Sequence, residues 1–244
     1  MKRVFGWVSL LIIGLTGMAV AQEKLVTDVI QTSAGELKIT FVGHGSLFFT
    51  FGGKVFHIDP YSIVGDYSQL PKADVILITH DHRDHLDLKA LNAVRTPGTI
   101  VVLTRICAKQ VEGGIILDNG DTTVLAGVRI DAIPAYNIVH KRDTGEPYHP
   151  KGVGNGYILT FGDKKVYVAG DTENIPEMKA LKGIDVAFLP MNVPNTMTPE
   201  MVADAAKTFK PKILYPYHYR DTNTSKIVDL LKDTKEVEVR IRKM

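Results

Sequence analysis

The sequence predicts an α/β fold, a sandwich of two mixed β-sheets flanked on both faces by helices. Three observations lead there. Short apolar runs of strand type fill both halves of the chain, each half is finished by helical segments, and several runs stop abruptly at turns carrying His or Asp. Strand-rich halves closed by helices suit two stacked sheets with helices packed outside them.

The elements follow in order. Residues 36–42 alternate apolar and polar, as do 46–51, and Gly52-Gly53 makes a tight hairpin turn into a strand over 54–59. The next strand spans 73–79. A helix over 87–95 comes after it, ended by Pro97-Gly98, and 99–103 is a short apolar strand. Residues 121–125 and 128–133 form a second hairpin. A third pairs 156–161 with 164–169 around Gly162-Asp163, and 186–190 is a further strand. Thr198 caps a helix with Pro199 at its first position and Glu200 in its first turn. Within it Val202, Ala205, Ala206 and Phe209 form an i, i+3, i+4, i+7 stripe that packs on a sheet, and Pro211 stops it. Residues 225–232 give the last helix and 237–241 a closing strand.

The opening 21 residues are a separate unit. Lys2 and Arg3 start it, residues 4–18 are nearly all apolar or small, and Ala19-Val20-Ala21 fits a cleavage site, so a signal peptide over 1–21 is expected, cut before Gln22. Its apolar run is shorter than the ~20 residues that span a bilayer. The expectation is therefore an exported protein, periplasmic or secreted, with no stable membrane insertion once the signal is removed. Residues 22–244 then make one domain, since no linker, repeat or low-complexity tract divides them. Loss of Lys2 and Arg3 takes the formal charge from +2 to zero, which leaves no electrostatic case for nucleic acid. The single cysteine, Cys107, excludes an internal disulfide and is expected to be a small buried hydrophobe.

The densest chemistry lies in Thr79-His80-Asp81-His82-Arg83-Asp84-His85, directly after an apolar strand. Three of the chain's eight histidines fall within these seven positions. Imidazole with carboxylate suits zinc, or manganese and iron as alternatives. His80 and His82 point the same way from extended backbone, and Asp84 and His85 follow a bend, so they can face a second metal.

That His-x-His-x-Asp-His string resembles the metallo-β-lactamase superfamily. Two later segments strengthen the resemblance: Ala169-Gly170-Asp171-Thr172 after one apolar run and Tyr215-Pro216-Tyr217-His218-Tyr219 after another. The resemblance implies an αββα sandwich with all metal ligands on loops at one edge. It also implies two divalent metal ions, zinc first and manganese or iron as alternatives. His80 and His82 would hold one ion, Asp84, His85 and His218 the other, and Asp171 would bridge them. The superfamily commonly places a histidine after a Pro-Ala-aromatic turn, but here Pro134-Ala135-Tyr136 is followed by Asn137, a poor zinc ligand. His140 and His149 are the two candidates for the missing donor. His149, in Tyr148-His149-Pro150-Lys151-Gly152, is preferred because that segment resembles a subgroup with the same Pro-Ala-Tyr-Asn turn.

The mechanism this implies is hydrolytic. A water shared by two cations has its pKa lowered from ~15.7 toward ~7, giving hydroxide to attack a small ester, lactone or phosphodiester. Asp84 could accept the proton. His44 and Asp59, at strand ends that resemble the ascorbate-phosphate lactonase and phospholipase D-like branch, are candidates to orient ligands or touch substrate. Tyr136 and Asn137 are further candidates of that kind. Two other readings stand beside the hydrolase with a small-molecule substrate: a di-iron oxidoreductase of the same fold, and a metal-binding member without turnover. Nothing in the chain selects a substrate, a metal or an oligomeric state.

Overall fold

The structure, a computed structural model, describes residues 25–244, so the expected signal peptide lies outside the described residues. One sheet holds β1 (Thr27–Thr32), β2 (Gly35–Gly43), β3 (Ser46–Phe51), β4 (Lys54–Ile58), β5 (Val75–Leu77), β6 (Ile100–Leu103) and β7 (Ile115–Ile116), side by side in chain order. The other runs from β8 (Thr122–Leu125) through β9 (Val128–Ala135), β10 (Gly154–Phe161), β11 (Lys164–Val168), β12 (Val186–Pro190) and β13 (Ile213–Tyr217) to β14 (Glu238–Val239). Both sheets are mixed: each begins with antiparallel hairpins and ends in parallel strands. Three helices, α1 (Leu88–Val94), α2 (Pro199–Phe209) and α3 (Ser225–Leu231), pack outside them.

Alternation along the strands builds three apolar layers. Val75 and Leu77 of β5 face Val186 and Phe188 of β12 in the cluster between the sheets. Ile76, on the other side of β5, packs with Ala90, Leu91 and Val94 of α1. Ala187 and Leu189 of β12 meet Val202, Ala205, Ala206 and Phe209 of α2. This is the expected sandwich with helices on both faces. Both caps also form: the Asp87 side chain accepts from Lys89 N and Ala90 N, and that of Thr198 from Met201 N. Cys107 is buried, and burial pushes its thiol up to about 11.

Several expected elements differ in extent. The strand over 73–79 is trimmed to β5 because Asp74 turns its carboxylate to Val55 N and Thr79 N bonds the Asp59 side chain. The closing strand shortens to β14, and beyond it Arg242 leaves the sheet to grip Asp28 through Nε at 3.1 Å and Nη2 at 2.7 Å. Tyr215 donates to the same carboxylate at 2.5 Å. The β1 strand was not foreseen: it lies at the sheet edge, and this latch ties it to β13. No helix among the described residues is long and apolar enough to cross a membrane.

His57, inside β4, is fully buried; its ring stacks on Phe48 and its Nε2 lies 2.9 Å from Pro71 O. Burial lowers its pKa from 6.5 to about 4. Between those values the unfolded chain binds the proton and the folded chain refuses it. Stability is therefore complete above pH 6.5 and falls as pH drops toward 4, by about 3 kcal/mol in all. Urea unfolding of wild type and His57→Gln across this range checks it: the variant should lose that share of the pH slope.

Candidate metal centre

The seven polar residues singled out from four distant parts of the sequence meet at one rim of the sandwich. His80 and His82 leave the end of β5, Asp171 follows β11, His218 follows β13, and His149 comes from the loop before β10. Donor atoms of His80, His82 and His149 lie within 4.8 Å of one another, as do those of His80, His85 and Asp171, and those of His44, Asp84, His85 and His218. Asp171 stands between the groups: Oδ2 is 3.4 Å from His149 Nε2 and 3.6 Å from His218 Nε2, and Oδ1 is 3.5 Å from His85 Nε2. Asp84 Oδ2 is 3.4 Å from His218 Nε2 and 4.0 Å from His85 Nε2.

Lone pairs decide what this cluster can hold. Of ten buried side-chain polar atoms without a hydrogen bond among the described residues, six are here: His80 Nε2, His85 Nε2, His149 Nε2, both His218 ring nitrogens and Asp171 Oδ1. Orphaned polar atoms inside a protein are costly, and so many converging imidazole and carboxylate donors fit divalent cations. Burial, with the neighbouring His85, lowers the His80 pKa well below its usual value, so this ring is a neutral donor. Burial opposes ionisation of Asp171, but the nearby His218 and His85 outweigh it and keep the carboxylate charged.

Asp59 anchors the motif from beneath. It is fully buried and left-handed in backbone (φ 41°), and its carboxylate accepts from Thr79 N at 2.8 Å, Thr79 Oγ1 at 2.6 Å and His85 Nδ1 at 2.8 Å. The Thr79 hydroxyl, having given its proton to Asp59, is left to accept from His80 Nδ1 at 3.0 Å. Each ring nitrogen held this way leaves Nε2 turned to the rim. Burial would lower the His85 pKa, but Asp171 and Asp59 raise it to about 9. Gly45 makes room: a Cβ there would lie 3.0 Å from His85 Cε1.

His44 (φ 57°) and His218 (φ 48°) also sit in left-handed backbone, a strain concentrated at functional sites. Their rings lie 3.8 Å apart, and His44 Nε2 is 2.8 Å from Asp84 Oδ2. Burial works against the charge on Asp84, yet the nearby His218 and the contact with His44 hold it well below the usual carboxylate range. Tyr136 is fixed elsewhere, its hydroxyl on Glu177 at 2.9 Å and its ring under Lys151. Asn137 contacts His149, its Oδ1 2.6 Å from Nδ1. His140 lies outside all three donor groups and pairs with Glu173 at 2.7 Å.

Two residues escaped the sequence reading. Glu173 carries no motif of its own, and only its position two residues after Asp171 hinted at the site. Arg220, two residues after His218, brings Nη2 to 3.7 Å from Asp84 Oδ2 with more than half its side chain exposed.

Comparison with known proteins places the fold and sequence in a family. A family model for the beta-lactamase superfamily domain matches residues 38–218. A UPF0173 metal-dependent hydrolase from Thermococcus onnurineus (strain NA1) is 34% identical over 199 residues, covering 75% of this chain and 84% of that protein. A crystal structure from Parabacteroides distasonis ATCC 8503, of a candidate metal-dependent hydrolase, superposes with TM-score 0.87 at 49% identity, over 91% of this chain and 100% of that one. Igni18, a metallo hydrolase from Ignicoccus hospitalis KIN4/I, superposes with TM-score 0.71 at 26% identity, over 85% and 95%. The chain belongs to the metallo-β-lactamase superfamily and groups there with the UPF0173 metal-dependent hydrolases.

Proposed function

We propose that the chain is an exported dinuclear hydrolase, loaded with two divalent cations, zinc first, and acting on a small ester, lactone or phosphodiester. The observation that carries this is the convergence of orphaned imidazole and carboxylate lone pairs in two groups that share Asp171. His80, His82 and His149 would hold one cation, Asp84, His85 and His218 the other, with Asp171 between them. Such a pair supplies Lewis acidity toward a carbonyl or phosphoryl oxygen and acidifies water.

The chain's own residues do the rest. Asp59 and Thr79 hold the rings of His85 and His80 so that both turn Nε2 to the rim. Asp84 is placed to take a proton by position rather than basicity: its side chain is 22% exposed where that of Asp171 is only 3%, and His44 Nε2 lies 2.8 Å away to share it. Arg220 presents its remaining N–H groups at the same edge, suited to an oxygen-rich substrate. Export is supported by the basic start, the apolar stretch and the Ala19-Val20-Ala21 site.

The test is a screen of the mature protein, with zinc or manganese added, against lactones, phosphodiesters, thioesters and β-lactams. His82→Ala should abolish any activity found. Full turnover in that variant would place the chemistry elsewhere.

A further inference from the structure

We propose that Asn137 and Glu173 are a pair of positioning residues that set the tautomer and direction of the His149 ring. This rests on the dinuclear reading above. Asn137 occupies the turn position where the superfamily resemblance leads one to expect a histidine, and its side chain is nearly fully buried. Its Oδ1 accepts from His149 N at 3.0 Å and contacts His149 Nδ1 at 2.6 Å, while its own N–H donates to His149 O at 2.9 Å. Asn137 thus grips the replacement histidine by backbone and ring together.

Which end of the Asn137 amide faces the ring is settled by its other neighbours. Nδ2 lies 3.1 Å from Glu173 Oε1 and 3.0 Å from the Asn195 carbonyl oxygen. An ionised carboxylate and a carbonyl only accept, so the amino group belongs there and the carbonyl must face His149. Glu173 in turn accepts the backbone N–H groups of Ile138, Val139 and His140, so its oxygens act as acceptors on every side. Those three backbone bonds are each 2.7 Å long. Glu173 therefore pins the loop carrying Asn137 and fixes the sense of its amide.

The consequence falls on His149. Facing a carbonyl oxygen, Nδ1 carries the proton, and Nε2 keeps a lone pair aimed at the shared site, 3.4 Å from Asp171 Oδ2. Without that acceptor the ring can place its proton on Nε2, where it repels a cation. Asn137 in the turn and His149 beyond it then act as one unit. Asn137 is not a ligand but the residue that aims one.

The first measurement needs no variant. ¹⁵N-resolved imidazole spectra of the metal-free protein, taken well above the ordinary histidine pKa, should show His149 protonated on Nδ1. A proton on Nε2 would overturn the proposal. Next, Asn137→Leu should mix the two tautomers and weaken zinc binding about 10- to 100-fold at one of two sites, read by equilibrium dialysis against zinc alone. A cooperatively folding Asn137→Leu that binds both zinc ions as tightly as wild type would also overturn it. Wild-type protein that takes up no zinc would instead sink the dinuclear reading and leave the tautomer assignment standing.

Discussion

Asp171→Ala is expected to empty both cation positions together and to lower any hydrolytic rate about a thousandfold or more. Among the described residues Asp171 stands beside all three donor groups: its two oxygens lie 3.4 to 3.6 Å from nitrogens of His149, His218 and His85. Removing it leaves one side with three imidazoles and the other without its central carboxylate. The metal-free variant carries a second signature. Asp171 is the foremost influence raising the His85 pKa against its burial, so that pKa should fall from about 9. Metal analysis, turnover and imidazole titration in one preparation check all three effects. A variant that kept two ions per chain would show that the groups do not depend on a shared carboxylate.

Asp59→Ala should be the most damaging change to stability. Its carboxylate is fully buried and accepts from Thr79 N, Thr79 Oγ1 and His85 Nδ1, so truncation strands three buried donors. Removing one partner of a buried, hydrogen-bonded charge pair costs about 3–5 kcal/mol. For a domain of this size that lowers Tm by roughly 10 °C. Because Asp59 also aims the His85 ring, zinc should bind the Asp84, His85 and His218 group about 10- to 100-fold more weakly. Calorimetry with and without zinc separates the two losses. Unchanged melting with unchanged zinc affinity would mean that His85 is held by something other than Asp59.

Much of this site was visible in the sequence because metal chemistry is local. His80, His82, Asp84 and His85 share one loop, and Asp171 and His218 each follow an apolar run that ends at the same rim. Helix α2 was legible for a similar reason, its cap at Thr198, its Pro199 and its apolar stripe all agreeing. What stayed hidden depends on contacts between distant segments. Spacing alone could not choose between His140 and His149, and the structure separates them through Glu173, which bonds His140 from 33 residues away. The pairing of Asp59 with His85 spans 26 residues and follows no periodicity. Strand β1, with the sequence Thr-Asp-Val-Ile-Gln-Thr, has too little alternation to announce itself. Its latch through Asp28, Tyr215 and Arg242 joins opposite ends of the chain.

The measurement closest to the central claim is anomalous diffraction at the zinc edge from crystals of the mature protein grown with zinc. Two peaks should appear at the rim, one bounded by His80, His82 and His149, the other by Asp84, His85 and His218, with the Asp171 carboxylate between them. No peak at that rim, or a single peak that leaves His149 and Asp171 uninvolved, would contradict the account.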